Sequence, residues 1–262
     1  MRAMPWSEDP DERATDDPDE RANTIEQVGP GALLDRAMAI YRAHFLEVYA
    51  VALIIGLIEA IISYALEDTD AMALAFGFSL LAATVLTGLI VTLVRDVQAG
   101  VADPSVGGLL REVLPALAPL LAVSLLAGVA TVFGFILLIV PGFLLLTMWA
   151  VVGPVVVIER VRVMDAFGRS RELVRGNGWN VFALLLLTLL LVAVVTALAV
   201  LVTLSLDDAL GRFIEVLLVA LVSPIQALAT AVLFFRLREA HGEPPVDPTP
   251  SAGNAGPDAF GR

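Results

Sequence analysis

From Val113 to Ile158 the chain runs for 46 residues without a charged side chain. At about 1.5 Å per residue, one helix of that length would be more than twice the roughly 30 Å of hydrocarbon in a bilayer. The stretch must therefore turn, and "IVPGFLL" supplies a place. Pro141 lacks an amide hydrogen and crowds the preceding turn, and Gly142 tolerates a tight reversal. The break leaves 28 residues before it and 16 after it. The second piece is short, so it is expected to reach past Glu159 to Arg160, whose stem snorkels toward water.

A soluble core is the alternative home for such a run, and composition argues against it. Of the 262 residues, 58% are hydrophobic and 17% charged, where a soluble domain has roughly half and a quarter. Four further runs fit single crossings. Ala71–Val94 is uncharged, as are Gly176–Leu206 and Val216–Phe235, and Leu46–Leu66 is interrupted by Glu59 and, at its very start, by Glu47. Six spans follow, at 46–66, 71–94, 114–140, 143–160, 179–206 and 213–235. They lie within a membrane domain covering 29–240. Residues 1–28 and 241–262 read as disordered tails. The first repeats "DPDERA" and carries eight acids against three arginines within residues 1–24; the second is rich in proline and glycine. Neither can bury enough apolar surface to order itself.

The basic residues set the orientation. All sixteen are arginine, and with six spans fifteen fall on one side and only Arg212 on the other. This positive-inside bias places both termini in the cytoplasm. The same side carries three charged amphipathic stretches, "GALLDRAMAIYRAHF" (31–45), "SVGGLLREVL" (105–114) and "VMDAFGRSRELVRGNGWN" (163–180). The expected fold is all-α: six transmembrane helices in three hairpins, each preceded by a cytoplasmic amphipathic helix. The repetition suggests a pseudo-threefold arrangement or a ring of hairpins about a common centre.

In the third stretch Val163, Ala166, Phe167, Ser170, Leu173 and Val174 share one helical face. Asp165 and Arg169 are spaced to pair at i,i+4, and Gly176 stands where a left-handed cap ends a helix. The apolar face should lie on the bilayer, with the arginines reaching phosphates and Trp179 at headgroup depth.

Residues 134–187 show a longer pattern: a Pro-Gly turn (Pro141, Gly142), a Pro-Val-Val run ending in Glu (Pro154, Val155, Val156, Glu159), then Ala166, Arg169, Ser170, Leu173, Gly176 and Trp179. It resembles the bacterial membrane-domain family attached in some members to glycerophosphoryl diester phosphodiesterases, with its standalone six-span relatives. The resemblance implies a helical domain of the bacterial inner membrane. It does not imply phosphodiesterase activity, which needs a soluble barrel bearing histidine and acidic metal ligands.

Chemistry-bearing residues are sparse. There is no cysteine, and the only histidines are His44 and His241, so no metal set is expected. No serine or threonine has a histidine or lysine partner pattern, so no enzyme and no cofactor are expected. A net charge of −12 gives nucleic acid no basic patch. Ionisable groups inside a membrane are costly and default to functional candidates. Glu59 lies well inside the first span, and Gln226 follows Ser223-Pro224 in the sixth. Pro154 similarly interrupts the fourth, whereas Glu215 sits at an interface. The expected function is a non-catalytic scaffold or accessory subunit of the bacterial cell envelope, with lipid and membrane or envelope proteins as partners. The alternative is a transporter or lipid-handling protein in which Glu59 and Gln226 converge beside helix breaks.

Overall fold

The computed structural model describes residues 29–66, 72–99, 106–206, 208–244 and 246. The acidic segment 1–28 lies outside them, as does the chain beyond Val246. The described chain is helical throughout: α1 (Pro30–Ala43), α2 (Phe45–Leu66), α3 (Met72–Gln98), α4 (Val106–Val113), α5 (Leu117–Leu137), α6 (Ile139–Met148), α7 (Val152–Glu159), α8 (Val163–Val174), α9 (Gly178–Ser205) and α10 (Asp208–Ala240). Among the described residues six stretches are long and apolar enough to cross a membrane: Phe45–Ala65, Gly77–Gln98, Gly107–Leu137, Ile139–Glu159, Gly178–Ser205 and Leu210–Ala240. The protein is an all-α polytopic membrane protein. Its hairpins are α2/α3, α5/α6–α7 and α9/α10, and α1, α4 and α8 precede them.

The reversal in the long uncharged stretch falls three residues before the expected Pro-Gly pair. Leu138 is extended, with φ −163° and ψ 149°, and α6 begins at Ile139. Pro141 is thus the third residue of α6, where its missing N–H would have had no partner. The ring excludes the carbonyl four residues back, which belongs to Leu137, the last residue of α5. The same rule places the break between α6 and α7. Pro154 is the third residue of α7, and the position four back is Ala150, inside the non-helical step 149–151. A proline announces a break upstream of itself.

The hairpins do not form a ring of equals. Just over half of the α10 window and half of the α3 window are buried, against about a tenth for α2 and α9. The centre is α10, which packs against α1, α2, α3, α7, α8 and α9. Small buried residues on it (Ala220, Ala227, Ala231) permit the close approach that drives helix association in lipid. The outward faces of α2 and α9 show residues such as Ile61, Leu190 and Leu201, as a lipid-facing surface should.

Nor do the amphipathic helices simply rest on a bilayer. α1 packs along α9 and α10, burying Leu33, Ala37, Ile40 and Tyr41. α4 runs into α5 through a single 3-10 turn, Leu114–Ala116. The apolar face of α8 is covered by protein: Ala166, Ser170, Leu173 and Val174 are buried, and Val163 and Phe167 partly so.

Inside α10 the helix passes through Pro224 without stopping. The proline weakens the hydrogen-bond ladder one turn back, and there the Tyr41 hydroxyl donates to the Leu221 carbonyl at 2.8 Å. Burial, with the nearby Tyr49 phenol second, pushes the Tyr41 pKa up to about 12. The hydroxyl therefore remains a donor across the physiological range.

Candidate functional site

Two places bring chemistry-bearing residues together. One is the joint linking α7, α8 and the end of α10. Glu159 closes α7, and Arg169 on α8 donates to it, Nε to Oε2 at 3.0 Å and Nη2 to Oε1 at 3.3 Å. Arg169 also binds Glu243 and, at 3.3 Å, Glu172. Arg238 of α10 binds Glu243 at 2.7 Å and approaches Glu159 at 3.9 Å. Two arginines and two glutamates thus fasten three elements. Burial works to lower the Arg169 pKa, but bonds to Glu159 and Glu243 outweigh it and hold the group above its ordinary value.

The expected Asp165–Arg169 pair does not form. Asp165 is exposed, and Arg169 turns toward carboxylates on other elements. Glu243, read by composition as part of a tail, is one of them, so the ordered chain continues past α10.

The other pattern residues of this region hold the joint's shape. Ser170, fully buried, donates to the Met148 carbonyl at 2.9 Å, filling an acceptor left open where α6 ends. Ala166 and Leu173 are fully buried. Gly142 meets Phe135 so closely that an added Cβ would lie 2.5 Å from its ring. Gly176 has φ +93°, and with Arg175 at φ −60°, ψ 128° and the Asn177 N–H bonded to the Val174 carbonyl at 3.0 Å it forms a type II turn. The positive φ expected of Gly176 is there; the motif is a turn rather than a helix cap. Trp179, on α9, is 79% exposed. A matching tie joins α3 to α4, where buried Arg95 binds Asp96 at 2.7 Å and also Glu112.

The second place is a cavity of about 780 Å³ at the opposite, arginine-poor end, between α2, α3, α9 and α10. Its floor is apolar, with Ala52, Leu86 and Ala220; its polar lining includes Glu59, Ser79, Arg212, Glu215 and Ser223. Thr203 donates to Glu215 at 3.3 Å, and Arg212 stacks over the Tyr64 ring, 5.3 Å from its centre. Glu59 is only partly buried and opens to this cavity. Gln226 does not join it. Although it stands two residues after Pro224, its side chain is exposed on the outer surface of α10.

Glu59 and Gln226 therefore do not converge. The residues that do stand with Glu59 are Arg212, which entered the sequence analysis only through the charge bias, and Glu215, which it placed at an interface and not in a site. A signal was available: Arg212 is the single arginine against the charge bias, three residues from a carboxylate on a helix. Among the described residues no cluster of His, Asp or Glu could hold a metal ion. No family model, curated protein or solved structure matches this chain.

Proposed function

We propose that this chain is a non-catalytic scaffold or accessory subunit of a bacterial inner membrane, with both termini cytoplasmic. The observation that carries the reading is the separation of Glu59 from Gln226, which leaves no continuous polar path along the two helices that bear them. The orientation rests on fifteen arginines against one. The pattern spanning 134–187 supports kinship with the membrane domain of the glycerophosphoryl diester phosphodiesterase family, apart from its catalytic barrel. In this reading Glu159, Arg169 and Ser170 serve architecture, since each is engaged with another part of the joint. The test is a pair of variants, Glu59→Gln and Gln226→Leu, assayed for membrane abundance and for proteins co-purifying in mild detergent. A scaffold keeps both. Loss of the co-purifying set in either variant, at equal abundance, would count against it.

The cavity favours one second reading, the handling of a small amphiphile that enters from the arginine-poor side. Its volume falls within the range of roughly 300–1,000 Å³ typical of ligand pockets, and two carboxylates beside one guanidinium favour a ligand bearing positive charge. That function would appear as a flux into reconstituted vesicles that vanishes in Glu59→Gln while the protein remains inserted.

A further inference from the structure

At the arginine-rich end a groove of about 790 Å³ runs between α6, α8 and the start of α9. Its wall is apolar, formed by Phe143, Leu144, Met148 and Phe182, with an aromatic series from Phe135 through Phe143 and Phe182 to Trp179 at centroid spacings of 5.1, 5.5 and 5.5 Å. Val140, Leu144 and Trp179 are exposed along it, so the trough opens sideways along a membrane-crossing segment. At its head stand Arg171, in the last turn of α8, and Arg175, in the turn just beyond it, four residues apart and both exposed. Neither takes an acidic partner among the described residues. Glu172, the one carboxylate on the rim, is engaged by Arg169 at 3.3 Å.

Each part of this arrangement selects a part of the ligand. An apolar trough open to the bilayer accepts a hydrocarbon chain. Two unpaired guanidinium groups at its head accept the oxygens of a phosphodiester, for which the planar fork is well matched. An exposed Trp at the mouth suits the depth where chains meet headgroups. We infer that this groove binds one anionic phospholipid, its acyl chain along Phe143 and Phe182 and its phosphate between Arg171 and Arg175. The neighbouring Arg169 takes no part, since its donors are committed to the joint. The site stands apart from the cavity at the other end and does not depend on the scaffold reading.

The geometry also provides a way to block the trough without touching its charges. Gly168 lines the groove, and a Cβ added there would meet nothing within 4 Å. Gly168→Leu projects into the space the lipid would use and raises helix propensity in α8. Arg162, exposed and outside the groove, supplies a charge-matched control.

The experiment uses the full chain, reconstituted in nanodiscs of equal phosphatidylglycerol and phosphatidylcholine, then released and weighed by native mass spectrometry. Thermal melting in lipid-free detergent verifies that each variant is folded. The expected result is at least a tenfold preference for retained phosphatidylglycerol in the unaltered protein and in Arg162→Gln. The preference should be lost in Arg171→Gln/Arg175→Gln, and retention of either lipid should fall in Gly168→Leu. Equal retention of phosphatidylglycerol by the double variant would overturn the assignment, as would absence of any preference in the unaltered chain. Displacement of phosphatidylglycerol by millimolar inorganic phosphate would reassign the arginines to a free anion. Dimers appearing as lipid is stripped, and abolished by Gly168→Leu, would make a second copy the occupant instead.

Discussion

The Arg169 guanidinium grips the Glu159 carboxylate with two parallel arms, at 3.0 and 3.3 Å, and so ties the amphipathic helix α8 to the end of the preceding span. Both side chains are largely buried. Removing the arginine strands Glu159 and Glu243 with part of their bonding lost, a cost of about 1–3 kcal/mol. Arg169→Gln should therefore lower the melting temperature in detergent clearly. Arg169→Lys should recover little, because an ammonium group cannot reproduce the fork. Arg171→Gln, exposed two residues away, should stay within about 0.5 kcal/mol of the unaltered chain. Equal melting of Arg169→Gln and Arg171→Gln would mean the joint adds no stability.

The same joint gives a pH dependence. Burial works to raise the Glu243 pKa, but hydrogen bonds and charge from Arg169 and Arg238 outweigh it and leave the group below its ordinary 4.5. A carboxylate depressed in the folded state contributes stability that is complete above its unfolded pKa and is lost as pH falls through the folded one. The stability gap between the unaltered chain and Glu243→Gln should thus be flat from neutral pH down to about 5 and shrink below that. Melting curves on both proteins across pH 3–7 measure it; a gap that widened on acidification would contradict the network.

Ser170 offers a cleaner test of the break between α6 and α7. Its hydroxyl is the donor that satisfies the Met148 carbonyl at 2.9 Å, and the residue is fully buried. Ser170→Ala removes that donor without adding bulk and should cost about 1–3 kcal/mol. Ser170→Val adds volume against packed neighbours and should cost more. If alanine proved neutral by thermal or denaturant melting, water rather than Ser170 would be satisfying the carbonyl.

How much of this was legible beforehand follows from what each signal measures. Span number and the hairpin plan came from charge spacing, which responds directly to hydrocarbon thickness, and the apolar face of α8 came from helical period. The breaks at Leu138 and at 149–151 were placed late, because Pro141 and Pro154 act on the carbonyl four residues upstream. The Asp165–Arg169 pair failed for a different reason. Spacing reports what a helix can offer itself, but Arg169 had better partners in Glu159 and Glu243, which lie 10 and 74 residues away. Gln226 was singled out by Pro224 two residues before it, and a proline reveals a loosened backbone without saying which way a nearby side chain faces. The cavity around Glu59 needed Arg212 and Glu215 from another hairpin, a tertiary fact.

At the arginine-poor end the α9/α10 hairpin depends on Gly211. A Cβ built there would lie 2.8 Å from the Thr203 Cα and 3.1 Å from its carbonyl oxygen, backbone atoms that cannot swing aside. Gly211→Ala should part the helix ends and cost about 1–3 kcal/mol, although alanine is the better helix former. It should also disturb the bond between Thr203 and Glu215 at the cavity wall. Gly128→Ala, with nothing within 4 Å, is the matched control and should be neutral or slightly stabilising by detergent melting. The opposite ranking would place the two helices farther apart than they stand here.

The link from α7 to α8 turns at Arg160, the one non-glycine residue with positive φ among those described, at φ 50° and ψ 35°. An L-residue with a Cβ pays about 1–2 kcal/mol for that left-handed region. Its neighbours hold it there, because Glu159 is fixed by Arg169 and α8 begins two residues beyond Arg162's predecessor, at Val163. Glycine removes the Cβ penalty but gives back about 0.5–1 kcal/mol through the freedom it gains in the unfolded chain. Arg160→Gly should therefore be neutral to about 1 kcal/mol more stable, and Arg160→Asn should lie close to the unaltered protein, since asparagine tolerates this conformation. Arg160→Val should be the least stable of the four, because a β-branched side chain is the poorest fit to positive φ. The order of their melting temperatures in one detergent reads the backbone directly. If glycine and valine destabilised equally, the arginine side chain itself would be holding the turn, and the strain assigned to Arg160 would have to be withdrawn.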